Sequence, residues 1–167
     1  LLLVSTKKLN ARAVWSFSNW VREAVETNRP WNQFARDIIT ASGSTIDNGA
    51  ANYFVLHKDA KLLNEATTVT FLGLSINCAQ CHDHPLVEDW KQDHYFGMAS
   101  FFNRTYLAKK DRIGEKYSGD LKFKTKKGEE KQARFMFLTS AVIDEPKIDR
   151  SPEQIKEIEA VFKKHMN

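Results

Sequence analysis

One short run constrains this chain more than any other, because it holds both cysteines and two of the five histidines. It reads Asn77-Cys78-Ala79-Gln80-Cys81-His82-Asp83-His84-Pro85. Two thiols three positions apart project from one turn, so both can add to the vinyl groups of a single haem. The residue that follows, His82, is then placed to reach the iron as its proximal ligand. The spacing therefore predicts one covalent haem c (iron) per chain, held by Cys78, Cys81 and His82.

Two other chemistries remain open to the same residues. A zinc or iron site would combine Cys78 and Cys81 with some of the histidines His82, His84 and His94. A structural site with four ligands usually takes its second pair from a more distant segment, which favours haem over zinc here. A disulfide or a redox dithiol is the third interpretation, and an oxidising compartment would permit it.

Length and composition indicate a soluble globular chain. Its 167 residues suffice for one compact domain, with 42% hydrophobic and 28% charged residues. The net charge of +4 does not indicate nucleic-acid binding, because the 25 basic residues are spread among 21 acidic ones. The first apolar run, Leu1 to Val4, is too short for a signal sequence or a transmembrane segment.

The numbered chain begins with Leu1 and not with Met, which favours a fragment of a longer exported protein. Haem is attached to Cys-x-x-Cys-His motifs outside the cytoplasmic membrane. The motif therefore predicts an extracytoplasmic location, periplasmic or at the cell surface.

Hydrophobic periodicity predicts a mainly α fold with four to five helices, a small β-hairpin insertion and a C-terminal amphipathic helix. Helices are expected over residues 10–25, 31–40, 59–72, 94–102 and 151–167, with caps at Asp59, Asp93 and Ser151. Residues 52–56 are expected to be extended, and the hairpin is expected to pair residues 120–125 with 132–137. The chain is read as a single domain, 1–167, with a helical haem-binding core (10–104), a hairpin-containing segment (105–150) and the terminal helix (151–167).

The same periodicity assigns a buried side to each of the first three helices. The apolar residues expected inside are Val14, Phe17, Val21, Ala24, Val25, Phe34, Ile38, Ile39, Leu62, Leu63, Ala66, Val69 and Leu72.

The run from Phe71 to Pro85, continued by Trp90 to Phe102, resembles the signature block of the Planctomycete cytochrome C family of large exported proteins. Trp20 and the segments 28–34 and 52–54 also fit this family, so the resemblance covers roughly residues 15–104. It implies an extracytoplasmic location and a c-type haem on the motif, but it implies little about a reaction. Family members usually carry an aromatic residue where this chain has His94.

These observations predict an electron-transfer domain that exchanges electrons with a partner protein or with a neighbouring domain of a longer chain. Met98 is the nearest thioether after the motif and is the first candidate for the distal ligand, although an ordinary core methionine would also suit its position. Further options for the distal ligand are Met136, His57, His94 and His165. His84 is too near His82 to bind the opposite face, so we expect it to hydrogen-bond nearby backbone or a propionate.

The alternative function is a structural or interaction module of a larger surface protein, in which a metal or a disulfide cross-links the loop at the motif. The sequence contains no pair of carboxylates, activated serine or phosphate loop that indicates catalysis. A non-catalytic role is therefore favoured, and enzymatic activity stays open.

Overall fold

The computed structural model describes residues 7–57, 59–108, 111–116, 118–144 and 151–166. About 48% of the chain is helical, which confirms the predicted mainly α class. The described residues form six α-helices: α1 (Ala11–Glu26), α2 (Trp31–Ile39), α3 (Asn52–Leu56), α4 (Ala60–Thr67), α5 (Gln92–Ser100) and α6 (Pro152–Met166). The strands are β1 (Gly43–Ser44), β2 (Thr105–Ala108), β3 (Arg112–Glu115), β4 (Lys122–Lys124) and β5 (Glu130–Gln132). No helix within the described ranges is long and apolar enough to cross a membrane.

The chain divides into two compact units. The first unit comprises Leu1–Lys58, Thr105–Glu115 and Ala160–Asn167, and the second comprises Asp59–Arg104 and Lys116–Glu159. The motif with Cys78, Cys81 and His82 lies in the second unit. The predicted single domain and its internal boundaries stay predictions.

The first unit is built around α1, whose Asn10 cap accepts a hydrogen bond from the Ala13 amide. Its core cluster contains Leu9, Ala13, Phe17 and Leu56. A 3₁₀ turn at Gly49–Ala51 packs against α1 so closely that a Cβ on Gly49 would lie 2.5 Å from the Ser16 carbonyl oxygen. A small antiparallel sheet with strand order β1-β3-β2 completes this unit, and the sequence patterns did not predict it.

The expectation that residues 52–56 are extended was wrong, because they form α3. Tyr53, Phe54 and Leu56 are all buried, and a short segment buried on several sides shows neither helical nor strand periodicity. The side chain of Asn52 also favours the helix, since its Nδ2 donates to the carbonyls of Thr45 and Gly49 at 2.6 and 3.0 Å.

His57 follows α3 and is buried beside the ring of Tyr53, with ring centroids 4.9 Å apart. Burial, and to a lesser extent the nearby charge of Lys8, lowers the pKa of His57 below its ordinary value of 6.5. The unfolded chain therefore takes up a proton at a higher pH than the folded chain does. Stability is fully present above that ordinary pKa and is lost as the pH falls through it toward the pKa of the folded state.

We expect the unfolding free energy to fall more steeply for the wild type than for His57→Gln between about pH 7.5 and about pH 5. Denaturant titrations at several pH values measure both curves. Parallel curves would show that His57 does not contribute to the acid sensitivity of the fold.

In the second unit, α4 begins as predicted, with the Asp59 carboxylate accepting from the amides of Lys61 and Leu62 at 3.0 and 2.9 Å. The helix continues through a π-helical turn, Thr68–Leu72, and ends at Gly73 with a positive φ of 67°. It packs against α5, where the Asn64 side chain donates to the Tyr95 carbonyl at 3.1 Å. The expected Asp93 cap of α5 was wrong: Lys91 occupies the N-cap position, and Asp93 lies in the first turn.

The predicted hairpin is present and its first strand lies within residues 120–125, but the second strand was predicted at residues 132–137 and lies instead at Glu130–Gln132. Strands β4 and β5 pair in antiparallel register, with Phe123 opposite Lys131. Beyond β5 the Ala133 amide still donates to the Leu121 carbonyl at 2.8 Å. The chain then leaves the ladder, and Phe135 and Phe137 pack on Phe101, with ring centroids 5.2 and 4.9 Å away.

The terminal helix α6 confirms its predicted capping box. The Gln154 amide donates to Ser151 Oγ at 3.3 Å, and the Ser151 amide donates to Gln154 Oε1 at 3.0 Å.

Not every apolar residue of the predicted stripes is inside. Phe17, Ala24, Phe34, Ile38 and Leu63 are buried as expected. The expectation was wrong for a second set, which is exposed: Val25, Ile39, Leu62, Val69 and Leu72.

Candidate functional site

The motif lies on a 3₁₀ turn, Asn77–Gln80, in the loop between Gly73 and α5. The amides of Cys81 and His82 both donate to the Cys78 carbonyl, each at 3.3 Å. These bonds bring the three predicted residues together on one tight turn. Both cysteines are exposed free thiols, and His82 is exposed as well.

A hydrogen bond fixes the tautomer of the His82 imidazole. Its Nδ1 lies 2.6 Å from the carbonyl oxygen of Asp83. A carbonyl can only accept, so Nδ1 carries a proton, and in the neutral ring the lone pair is on Nε2. A ring N–H donated to a backbone carbonyl is the arrangement that commonly orients a metal-ligating histidine.

One residue just before the turn, Ile76, and one residue between the two cysteines, Ala79, attach the motif loop to the core. Ile76 and Ala79 are fully buried in a cluster with Tyr95, Phe96 and Phe123. The motif thus has an inward apolar side and an outward side that presents the thiols.

Tyr95, on α5 below the turn, is fully buried, and its hydroxyl donates to Glu65 Oε1 at 2.7 Å. Burial, reinforced by this contact with Glu65, raises the pKa of Tyr95 far above its ordinary value. The hydroxyl therefore stays protonated and keeps donating at any physiological pH.

His84 closes the loop that carries the motif. Its Nε2 lies 3.0 Å from the carbonyl oxygen of Ser75, which precedes the motif, so Nε2 donates to that carbonyl. Its Nδ1 accepts from the amides of Leu86 and Val87, which follow the motif, at 3.3 and 3.1 Å. The ring is buried edge-on against Trp90. The expected bonding of His84 to nearby backbone is confirmed.

We expect His84→Ala to lower the free energy of unfolding by roughly 1–3 kcal/mol, because it removes a buried ring together with its three hydrogen bonds to the backbone of the loop. The matched control is His82→Ala, an exposed neighbour whose loss should cost within about 0.5 kcal/mol. Urea titrations of both variants measure the difference, and equal stabilities would contradict the role of His84 as a loop closure.

Both nitrogens of His94 are also engaged. Its Nδ1 accepts from the Lys91 amide at 3.1 Å, and its Nε2 lies 2.8 Å from Ser140 Oγ. All ring nitrogens of His84 and His94 are therefore engaged in hydrogen bonds in this structure. Within the part of the chain that the structure describes, no group of three or more His, Cys, Asp or Glu side chains could hold a metal ion.

The β4–β5 hairpin contacts the motif loop, which the sequence did not predict. Gln92 Nε2 donates to the Gln80 carbonyl at 3.0 Å, and Gln92 Oε1 accepts from the Lys126 amide at 3.1 Å. Lys126 Nζ lies 2.8 Å from Asp83 Oδ2. The hydrogen bond from Lys126 is the main reason that the pKa of Asp83 lies below its ordinary value. Nothing in the sequence distinguishes Lys126 from the other lysines of the turn.

The candidates for a distal ligand lie in different settings. Met98 is buried within α5, and Met136 is half-buried beyond β5. His57 belongs to the first unit, and the side chain of His165 lies outside the described residues. Met98 stays a prediction as the distal ligand.

Comparison with protein families gave one match: the family PSCyt2, described as a protein of unknown function (DUF1549), matches residues 4–106. Searches of curated proteins and of solved structures found no match. The matched segment spans more than half of the chain and ends in β2, so the β4–β5 hairpin and α6 lie beyond it. The match concerns the family as a whole and assigns no role to the cysteines. The chain belongs to the PSCyt2 family, a Planctomycete cytochrome C-associated domain of unknown function.

Proposed function

We propose that this protein is a c-type cytochrome domain that holds one covalent haem through Cys78, Cys81 and His82. It would transfer electrons to or from a partner protein or a neighbouring domain, in an extracytoplasmic compartment. The observation that carries the proposal is the exposed turn itself, which presents two free thiols together with an imidazole whose Nδ1–H is already donated to the Asp83 carbonyl.

Three exposed leucines near the turn support the binding of an apolar group. Leu72, Leu74 and Leu86 flank the motif in sequence and are exposed, Leu86 by 88%. His84 ties the segment after Leu74 to the segment that contains Leu86. Exposed apolar side chains on both arms of a closed loop favour a ligand that removes them from water.

The residues that would hold the haem then have distinct roles. The thiols of Cys78 and Cys81 would add across two vinyl groups, each S–H bond being replaced by a thioether and a new C–H bond. His82 would offer its Nε2 lone pair, and the Asp83 carbonyl would hold the opposite ring proton. When bound, the haem supplies one-electron redox chemistry, while the protein determines its ligation and electrostatics.

The decisive experiment is expression of the wild-type chain with an export signal and a working haem-attachment system. We expect sharp α and β absorption bands after reduction with dithionite, and a mass increase of one haem that survives acid-acetone extraction. An unmodified mass under these conditions would overturn the proposal. Zinc or iron in that unmodified protein would instead support the structural-module alternative.

The same preparation tests Met98 as the distal ligand. Met98→Leu nearly conserves volume, so the core should tolerate it. If Met98 binds the iron, the variant shifts the Soret band and lowers the midpoint potential. An unchanged spectrum and potential would make Met98 a core residue only.

A further inference from the structure

We propose that the β4–β5 hairpin is a positioning clamp for the motif loop, and that Lys126 at its turn balances the charge of Asp83 beside His82. The inference rests on the proposed haem site. It assigns a role to a segment that lies beyond the family match.

The first part of the clamp is a bridge through Gln92. This one side chain bonds the Gln80 carbonyl inside the motif and the Lys126 amide in the hairpin turn, at 3.0 and 3.1 Å. A second, longer bond joins its Nε2 to the Lys124 carbonyl at 3.4 Å. Gln92 thereby ties the start of α5, the hairpin and the motif loop to one another.

The second part of the clamp is the packing of the hairpin on the core. Phe123 stacks on Phe96 with ring centroids 4.2 Å apart and an interplanar angle of 9°. Both rings belong to the cluster that buries Ile76 and Ala79 of the motif loop. A second ion pair, Lys131 with Asp93 at 2.7 Å, joins the hairpin to α5. The hairpin is therefore anchored independently of Lys126.

The third part is electrostatic. Asp83 presents its carbonyl to the His82 imidazole and its carboxylate to Lys126 Nζ. Both side chains of the ion pair are about half exposed, at 46% and 50%, so salt weakens the interaction without abolishing it. Oxidised haem carries one more positive charge than reduced haem. An unpaired carboxylate near His82 favours the oxidised form, and an unpaired ammonium group favours the reduced form.

The prediction is a pair of opposite shifts in midpoint potential. Lys126→Gln should lower the potential, Asp83→Asn should raise it, and the double variant should return close to the wild type. All shifts should shrink as ionic strength rises. Spectroelectrochemical titration measures them. The matched control is Lys122→Gln, which removes the exposed ion pair with Glu130 inside the hairpin and should change the potential least.

Opposite signs separate a charge effect from a loss of structure, because a loosened loop would move both single variants in the same direction. Shifts of the same sign, or shifts no larger than that of Lys122→Gln, would overturn the charge role of Lys126.

The clamp is also testable without haem. In haem-free protein, Gln92→Ala should speed hydrogen exchange at the amides of Cys81 and His82 several-fold relative to wild type. Lys122→Gln, an exposed substitution within the hairpin, should leave these rates unchanged. Unaltered rates in Gln92→Ala would overturn the clamp. If the wild-type protein never takes up haem, the proposed function is refuted and the clamp is not. The exchange measurement on haem-free protein tests the clamp separately.

Discussion

We expect a Cys78→Ser, Cys81→Ser double variant to lose all covalently bound haem while it folds like the wild type. Both thiols are exposed and lie on the outward side of the turn, so serine adds no buried polar group. Exposed substitutions of this kind change the free energy of unfolding by about 0.5 kcal/mol or less. Mass spectrometry after acid-acetone extraction measures the attached haem, and circular dichroism with urea titration measures the fold.

The control for this experiment is Asn77→Ser, an exposed position on the same turn that offers no thiol. It should retain one haem per chain. Each single cysteine variant should retain at most one thioether bond, with shifted α and β bands. Covalent haem in the double variant would show that attachment uses neither thiol, and unfolding of the double variant would show that the cysteines support the core.

The motif could be predicted from sequence because its chemistry is local. Five consecutive residues contain both thiols and the imidazole, and backbone bonds to the Cys78 carbonyl close the turn that joins them. No distant segment is needed to bring these groups together. The same locality explains why the caps at Asp59 and Ser151 were predicted correctly.

The partners that hold the motif could not be predicted, because they depend on tertiary contacts. Gln92 and Lys126 are separated by 34 positions, and a lysine in a hairpin turn has the pattern of an ordinary solvated residue. The bond of His82 to the Asp83 carbonyl is local, but the sequence does not show which ring nitrogen donates or which of the nearby carbonyls accepts. The role of the hairpin appears only when α5 and β4 are seen to share a core.

Periodicity also overstated how much of each helix is buried. Leu62, Val69 and Leu72 follow helical spacing yet are exposed on α4 and its π-helical extension. Hydrophobic periodicity predicts which residues share one face of a helix. It does not predict whether another part of the protein covers that face.

The second large effect concerns Phe123, in the hairpin beyond the family match. We expect Phe123→Ala to lower the free energy of unfolding by about 3–5 kcal/mol, because removing a buried aromatic ring leaves a cavity that the core fills only in part. The ring is 6% exposed and stacks on Phe96 in the cluster that also buries Ile76 and Ala79. Urea titration followed by intrinsic fluorescence measures the loss.

Phe137→Ala is the matched control, because Phe137 also stacks on a partner ring, Phe101, but is 40% exposed. Its cost should be clearly smaller, since less apolar surface returns to water. If Phe123→Ala cost no more than Phe137→Ala, the hairpin would be an appendage and could not position the motif. A large cost confined to Phe123 would mean that the core beneath Cys78 and Cys81 is completed by residues outside the family match.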